Sequence, residues 1–255
     1  MRFDTFDKDS PMTRMIAFAL LSATALSTPV MAESLGEREF SFDAGLGVKY
    51  SPEFIGSDNL DPSPWFILRN ADADRDKPDG FSVLPSLNYV GKRDADDYDD
   101  LRGMDDIGYA GEIGVKLSYR MGELTSYGAI RKGFGGHHGV VGELGAKYRF
   151  EASDKLTLWT GAELGMGSDD FTGTYFGVTA DESLSSGHRA YDPDGGAYIA
   201  RLSVEARYEF LPDTALMGRV TYGRLLGDAG DSPLVETRNQ PSISIGVARR
   251  LNFRF

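Results

Sequence analysis

The stretch PSISIGVARRLNFRF, residues 241–255, alternates between polar and apolar side chains along most of its length. Its apolar face consists of Ile243, Ile245, Val247, Leu251, Phe253 and Phe255. Its other face consists of Ser242, Ser244, Gly246, Ala248, Arg250, Asn252 and Arg254. A period of two residues is that of a β-strand. The stretch therefore predicts a strand whose two faces meet different surroundings.

This strand carries the C-terminal aromatic residue, Phe255. A final amphipathic strand that ends in Phe resembles the closing strand of bacterial outer-membrane β-barrels, where it is the signal for the barrel-assembly machinery. By that resemblance Phe255 is the candidate assembly signal. An edge strand of a soluble sheet is the alternative, and the rest of the sequence has to decide between them.

Composition limits the possible functions. The chain has 255 residues, no Cys and a formal net charge of -12. Without Cys there is neither a disulfide framework nor a thiolate metal site. The acidic balance argues against nucleic acid as a partner, because a phosphate backbone selects surfaces rich in Lys and Arg. Beyond the N-terminal region no apolar run reaches the roughly 18 residues that a membrane-spanning helix needs.

The N-terminal region has the pattern of a secretory signal peptide. Arg14 precedes an apolar core at residues 15–26, and Val30-Met31-Ala32 fits a cleavage site with small residues. We expect residues 1–32 to be removed and residues 33–255 to form a single barrel domain. Translation from Met1 or from Met12 remains open, and a short membrane anchor is the alternative to a signal peptide.

Ten amphipathic segments follow one another through the mature chain. They cover about residues 39–50, 63–70, 80–91, 108–120, 123–133, 139–150, 154–166, 196–210, 214–226 and 241–255. Tight joints at 120–123, 151–154 and 211–213 largely alternate with long acidic ones, as periplasmic turns and outer loops do in outer-membrane barrels. The joint 71–79 is long for a periplasmic turn. The sequence predicts an all-β fold, a transmembrane antiparallel β-barrel of about ten strands in contact with outer-membrane lipid. Residues 172–179 could add a strand, so twelve strands is the alternative.

Charges of both signs lie on the polar strand faces, which would face the barrel interior. They are Asp43, Lys49, Glu112, Lys116, Arg120, Glu143, Lys147, Arg149, Glu163, Arg201, Glu205, Arg207, Arg219, Arg250 and Arg254. Ten strands enclose a narrow interior that side chains can fill. We expect the charges to pair into a plug, which neutralising Glu205 together with Arg201 or Arg207 should loosen. A small polar channel is the alternative. Arg249 falls on the lipid side of a regular strand, so we expect a bulge there or a position near an interface.

The sequence offers no convincing catalytic, cofactor or metal site. The Asp-rich segment 94–106 could hold a divalent cation but has no EF-hand-like spacing, which favours solvated loops. His137 and His138 follow two glycines, a pattern typical of an exposed turn, and His188 lies in the long joint 167–195. We interpret the protein as a non-enzyme.

Three motifs carry a family resemblance. They are residues 50–58 (YSPEFIGSD), residues 175–178 (YFGV) with Tyr191 downstream, and residues 224–235 (RLLGDAGDSPLV). We call them the first, second and third motif. Their characteristic residues are Tyr50, Gly56, Ser57, Asp58, Tyr175, Phe176, Gly177, Arg224, Gly227, Asp228, Asp231, Ser232 and Pro233. In order and spacing they resemble the MipA/OmpV family of MltA-interacting outer-membrane proteins.

The resemblance implies residence in the Gram-negative outer membrane and a scaffold role that links a lytic transglycosylase to a peptidoglycan synthase. A surface adhesin or ligand-binding barrel and a small-solute channel are the alternatives. The glycines and aspartates of the first and third motifs are turn-forming residues. We expect both motifs to shape outer loops that fold back over the barrel mouth.

Overall fold

The computed structural model describes residues 39–70 and 79–254. Ten strands dominate this part of the chain. They are β1 (Glu39–Pro52), β2 (Leu60–Asn70), β3 (Gly80–Val90), β4 (Ala110–Met121), β5 (Leu124–Gly135), β6 (Val140–Ser153), β7 (Leu156–Gly167), β8 (Gly196–Leu211), β9 (Thr214–Leu225) and β10 (Asn239–Arg254). Within these ranges the predicted count of ten is confirmed, and the alternative of twelve, which required a strand at 172–179, is wrong.

All ten strands belong to one antiparallel sheet in the order β2-β1-β10-β9-β8-β7-β6-β5-β4-β3. The first and last strands therefore pair with each other, as in an outer-membrane barrel. The sheet curls strongly enough for Arg69 of β2 to reach Glu205 of β8, with Nη1 2.8 Å from Oε1. Complete closure was expected from the sequence, but among the described residues β2 and β3 do not pair, so the ladder has two free edges.

The outward face of the sheet is a continuous apolar band. Leu46 of β1, for example, pairs with Val247 of β10 and with Phe66 of β2, and all three side chains are exposed. Large exposed apolar side chains occur on nine of the ten strands, all except β7. They are stable only against a solvent that is itself apolar. The inward face is polar, and Gly246 lies on it at a point where neighbouring groups approach closely. A Cβ atom at Gly246 would lie 2.9 Å from the Cδ1 of Ile67.

Two ends of the sheet differ in their connections. At the turn end, two residues join β4 to β5, β6 to β7 and β8 to β9. At the loop end, the connections contain helices α1 (Asp169–Phe176), α2 (Ala180–Ser186) and α3 (Gly227–Asp231), and two short 3-10 turns at Ala95–Asp97 and Asp99–Leu101. None of the helices in the described ranges is long and apolar enough to cross a membrane.

The loop-end connections pack into a cap with its own apolar core. One cluster joins α1 to the strand ends and contains Phe171, Tyr175, Phe176, Tyr198 and Leu225, among others. A second cluster joins the loops to one another through Phe54, Ala95, Leu101, Met104, Val178 and Leu234. The cap therefore covers the loop end with closely packed apolar side chains.

Three details differ from the sequence-based expectation. Residues 172–179 contain the end of α1 and no strand. Tyr198, which strict alternation places on the lipid side, is buried in the cap, because the β7–β8 register shifts beside it at Gly165 and Met166. Arg249 lies on the outward face without a bulge, and it pairs with Thr214, the first residue of β9 after the turn at 212–213. Arg249 therefore lies near the turn end. A position near an interface was the expected alternative to a bulge.

Several expectations concern residues outside the described ranges. These are the signal peptide at 1–32, the segment 33–38, the joint at 71–78 and the proposed assembly signal Phe255.

The apolar band predicts how the cost of a charge depends on depth. Val204 lies at the middle of β8 and Leu211 at its turn end, and both side chains are exposed. In a bilayer, Val204→Arg should lower the unfolding free energy by about 2–4 kcal/mol, and Leu211→Arg by about 0–1 kcal/mol. Urea titrations in lipid vesicles, read by heat-modifiable gel migration, measure both. Equal effects of the two substitutions would contradict a membrane-spanning sheet.

Candidate functional sites in the cap and the lumen

The first and third motifs meet in the cap. The carbonyl of Gly56 accepts hydrogen bonds from the backbone N–H groups of Glu236 and Thr237, both at 3.0 Å. The N–H of Gly56 donates to Oε1 of Gln240 at 3.1 Å. Gly56 has a φ of 111°, which a side chain would strain, and its missing Cβ also leaves room for Val235. A glycine is therefore needed for the first motif to dock.

The second and third motifs also meet. Ser232 is buried, and its hydroxyl donates to the carbonyl of Phe176 at 2.6 Å. The hydroxyl of Tyr191 donates to the carbonyl of Asp228 at 2.8 Å. Val178 and Tyr191 form an isolated antiparallel bridge. The three motifs, which are spread over residues 50–235, thus converge on a single assembly.

The remaining motif residues have separate positions. Tyr50 and Arg224 are exposed at the loop ends of β1 and β9, where Nη1 of Arg224 lies 3.3 Å from Oδ1 of Asn239. Asp231 pairs with Arg238. Other members shape the backbone or fill the cap. Ser57 is buried beside Gly56, the N–H of Asp58 donates to Glu236, the N–H of Gly177 donates to Gly173, Gly227 has a positive φ, and Pro233 is partly buried.

A buried polar group lies directly beneath the cap. His137 is 1% exposed, and its Nε2 lies 3.3 Å from Oε1 of Glu112. The two groups are close, but the contact does not have the geometry of a hydrogen bond. Neither ring nitrogen of His137 has a hydrogen-bond partner among the described residues. Rings of Phe171 and Tyr175 pack edge-on against the imidazole. The expectation that His137 belongs to an exposed turn is therefore wrong, since α1 folds over it.

Tyr175 is the second unsatisfied polar group in this region. Its hydroxyl is buried without a hydrogen-bond partner among the described residues. Burial, and secondarily the charge of Glu112, raises the pKa of Tyr175 to about 12. The phenol therefore stays protonated at physiological pH. Its backbone carbonyl is engaged by the Nη1 of Arg93 at 3.0 Å, and burial lowers the pKa of that guanidinium.

Acidic groups crowd the upper surface of the cap. Burial and then the neighbouring Asp61 and Asp100 raise the pKa of Glu53. The pKa of Glu236 is raised by burial and by a hydrogen bond with the carboxyl group of Asp100. The N–H of Asp58, which donates to Glu236, opposes this shift. Within residues 39–70 and 79–254, however, no group of three or more His, Asp or Glu side chains is arranged to hold a metal ion. The crowded carboxylates of these described residues therefore form an acidic surface on the cap, without the arrangement of a metal site.

The lumen is crossed by ion pairs. Asp43, which is buried, accepts hydrogen bonds from Arg250 at 3.0 Å and from Arg207 at 3.1 Å. Glu205 accepts from Arg219 at 2.6 Å and from Arg69 at 2.8 Å. The anticipated partners of Glu205, Arg201 and Arg207, pair elsewhere. Arg201 reaches Glu163 at 2.8 Å, and Arg207 joins β8 to β1 across the lumen.

Further lumen charges occupy both ends of the interior. Near the loop end, Arg131 binds Glu112 at 2.7 Å and Glu143 at 2.5 Å. Lys116 lies over the ring of Tyr127, and Lys147 over that of Trp159. At the turn end, Arg120 donates to the carbonyl of Gly122, and Arg149 pairs with Glu123 and Glu151. Ion pairs and cation–ring contacts thus extend from the loop end to the turn end of the interior.

Cations outnumber carboxylates inside this acidic protein. The inward cations of the described strands between the two rims are Lys49, Arg69, Lys116, Arg131, Lys147, Arg201, Arg207, Arg219 and Arg250, and the inward carboxylates are Asp43, Glu112, Glu143, Glu163 and Glu205. The acidic side chains that make the net charge of the chain -12 therefore lie outside the lumen, mostly in the loops.

Sequence reasoning overlooked two of these residues as lumen charges. Arg69 lies in the segment 63–70, and its spacing of two and four residues from Ile67 and Trp65 is the signal that places it on the inward face. Arg131 lies in the segment 123–133, and its central role depends on tertiary contacts with Glu112 and Glu143. No local pattern could have shown that His137 is buried.

Comparison with known proteins identifies a matching family, two similar proteins and several solved structures. The model of the family described as MltA-interacting protein MipA matches residues 44–251. The MltA-interacting proteins of Escherichia coli K12 and Shigella flexneri are each 28% identical over 257 residues, covering 92% of this chain and 97% of theirs. Outer-membrane expressed OmpT of Vibrio cholerae covers 87% of this chain and 100% of its own at 11% identity, with a TM-score of 0.36. Neisserial surface protein A covers 86% and 99% at 12% identity, with a TM-score of 0.24.

Two Tyr→Phe substitutions in the cap should have opposite effects. Tyr175→Phe removes a hydroxyl that lacks a partner, so the unfolding free energy should stay constant or rise by up to about 1 kcal/mol. Tyr191→Phe removes the bond to Asp228 and should lower it by about 0.5–1.5 kcal/mol. Urea titration of the folded band measures both. A clear loss of stability in Tyr175→Phe would show that its hydroxyl has a partner.

Two glutamates of the lumen provide a matched test of the plug. Glu205→Gln removes the carboxylate that Arg69 and Arg219 both contact, and it should lower the unfolding free energy by about 2–5 kcal/mol. Glu209→Gln, at the turn-end rim, should lower it by less than about 1 kcal/mol. The unmodified protein should show little steady conductance in planar bilayers, and Glu205→Gln should raise it. Large stable currents from the unmodified protein would indicate a channel.

Proposed function

The chain belongs to the family of MltA-interacting protein MipA, and from this premise we propose that it is a non-enzymatic scaffold linked to peptidoglycan-remodelling enzymes. The observation that carries the proposal is the extent of the match. It covers β1 to β10, and the curated relatives over 92% of the chain are named for interaction with MltA. The proposed partners are a lytic transglycosylase and a peptidoglycan synthase.

The protein resides in the Gram-negative outer membrane, where its apolar band meets lipid. Its short turns then face the periplasm, and its cap faces outward, as in outer-membrane barrels generally. A partner that works on peptidoglycan must be reached from the turn end. The proposal also includes assembly into the membrane by the barrel-assembly machinery.

Little surface is available at the described turns. The connections between β4 and β5, β6 and β7, and β8 and β9 have two residues each. A specific interface buries on the order of 800 Å² per partner. We therefore assign the contact to residues 33–38 and to the long joint between β2 and β3. Residues 33–38 lie outside the described ranges, and so does most of the joint. The joint carries Asp72, Asp74, Arg75, Asp76 and Lys77, so the contact should be electrostatic and sensitive to salt.

The environments of the histidines support a non-enzymatic role. His137 is enclosed by α1, away from any substrate that remains outside the barrel. His188 is tied to the cap, with Nε2 2.8 Å from the carbonyl of Asp100. A catalytic base needs access to a substrate proton. His138 is exposed, and its carbonyl accepts a hydrogen bond from Lys132.

One observation favours a second candidate, a surface-exposed adhesin or ligand-binding barrel. The cap has its own apolar core, so it presents a defined surface in place of separate loops. The same core argues against the channel alternative, because it covers the loop end of the lumen. The two candidate functions use opposite faces and can be tested with one pair of variants.

The test is capture of a purified lytic transglycosylase of the MltA type by the detergent-solubilised protein. In one variant residues 71–79 are shortened to a tight turn. The matched control changes exposed cap acids, Asp96→Asn with Asp97→Asn, because trimming the loop would remove Ala95, Leu101 and Met104 from the cap core. Capture should be lost in the first variant, retained in the control, and weakened as salt rises from about 0.05 to about 0.5 M.

Full capture by the shortened variant would reject the contact through this joint. Loss of capture only in the cap variant would place the interface on the outer face and support the adhesin-like alternative. Heat-modifiable migration confirms that each variant is folded before capture is compared.

A further inference from the structure

The free edges of β2 and β3 form a seam in the wall of the sheet, and both edges contain proline. Pro62 and Pro64 lie in the outer half of β2, and Pro85 lies at the middle of β3. The ladders to β1 and β4 continue without a register shift through all three positions. Since proline has no N–H, the missing donors must point away from the paired neighbour and toward the seam.

These prolines weaken any strand-to-strand closure of the seam. Unpaired backbone groups are costly in a bilayer, and most barrels satisfy them by pairing every strand. Here each proline removes a donor that a pairing strand would have used. The same feature argues against a partner strand as the occupant, because proline on an edge disfavours strand addition. Whatever fills the seam has to do so without a regular ladder.

The inner side of the seam combines an apolar and a cationic group. Leu84 of β3 faces inward but is 49% exposed. It pairs across the ladder with Lys116 of β4, whose Nζ lies 3.8 Å from the centre of the Tyr127 ring. The nearby carboxylates are engaged elsewhere, with Glu143 bound to Arg131 and Glu163 bound to Arg201. In the part of the chain that the structure describes, Lys116 forms no ion pair.

Access to this site from the loop end is blocked by the apolar cluster around Phe171 and Phe176. The seam instead opens toward the membrane, between the exposed outward side chains of Phe66 and Leu68 on β2 and those of Val83 and Leu87 on β3. An entering molecule therefore has to be soluble in lipid. The excess of cations in the lumen selects for a negative head group.

We propose that the β2–β3 seam is a lateral opening that admits a long-chain fatty-acid carboxylate from the membrane. Its acyl chain lies between the two edges against Leu84, and its carboxylate binds the ammonium group of Lys116. A single chain fits this place better than a two-chain phospholipid, because ion pairs and aromatic rings already fill the rest of the lumen.

Lateral access can be tested on a chain that has no Cys of its own. A bimane fluorophore is attached at one of three introduced cysteines. Leu84→Cys places it at the seam, Ser203→Cys places it on the inward face of β8, and Leu202→Cys places it on the lipid face of β8. In phosphatidylethanolamine/phosphatidylglycerol vesicles with brominated acyl chains, quenching at position 84 should be closer to that at 202 than to that at 203. Quenching at 84 no greater than at 203 would overturn the proposal.

Binding of the head group is tested with the fluorescent fatty acid cis-parinaric acid and the full mature protein in detergent. Lys116→Gln should weaken binding about tenfold or more, the effect of losing a charged hydrogen bond. Lys132→Gln on the outward face is the matched control and should leave binding unchanged, and Lys116→Arg should retain it. Equal binding by Lys116→Gln, or equal binding of the methyl ester by the unmodified protein, would overturn the proposal. If Lys116→Gln fails to fold, the methyl ester comparison and the quenching experiment still decide.

Discussion

The pairing of the first strand with the last is the interaction on which the rest of the sheet depends. Twelve consecutive residue pairs join β1 to β10, and Asp43 strengthens this junction from inside by binding Arg250 of β10 and Arg207 of β8. The junction brings residues about 200 positions apart into register. It also determines where the sheet ends, because β2 and β3 become the outermost strands only once β1 is joined to β10.

Charge burial in the lumen follows from this curvature. A strongly curled sheet brings strands that are three or four positions apart in the sheet within reach of one arginine side chain. Arg207 of β8 therefore reaches Asp43 of β1, and Arg69 of β2 reaches Glu205 of β8. Buried charges are tolerated only when they are paired and hydrogen-bonded. Asp43 and Glu205 meet this condition with two arginines each. The pairs do more to define the shape of the interior than to raise its stability, since a buried ion pair roughly balances its own desolvation.

The sequence was informative wherever a period of two governs the chain. All ten strands could be predicted from it, with bounds that differ by a few residues at most, because lipid outside and charge inside impose alternation on each strand. It failed where tertiary packing replaces alternation. Residues 172–176 belong to a helix that packs into the cap, Tyr198 turns inward at a register shift, and His137 is buried only because that helix covers it.

Closure of the ladder was the most instructive difference. Periodicity shows that a strand has a lipid face, but it does not show that both of its edges are paired. The information lay instead in Pro62, Pro64 and Pro85, which are compatible with one neighbour and unfavourable for two. The cap blocks the loop end of the lumen, and these prolines leave the seam between β2 and β3 unpaired. Molecules can therefore enter the lumen of the described sheet only through the side wall or the turn end. The cations of the lumen lie along those routes, whereas the acidic loops lie above them. An anion that approaches through lipid is therefore attracted by the lumen cations. An anion that approaches from the outer medium is first repelled by the acidic loops.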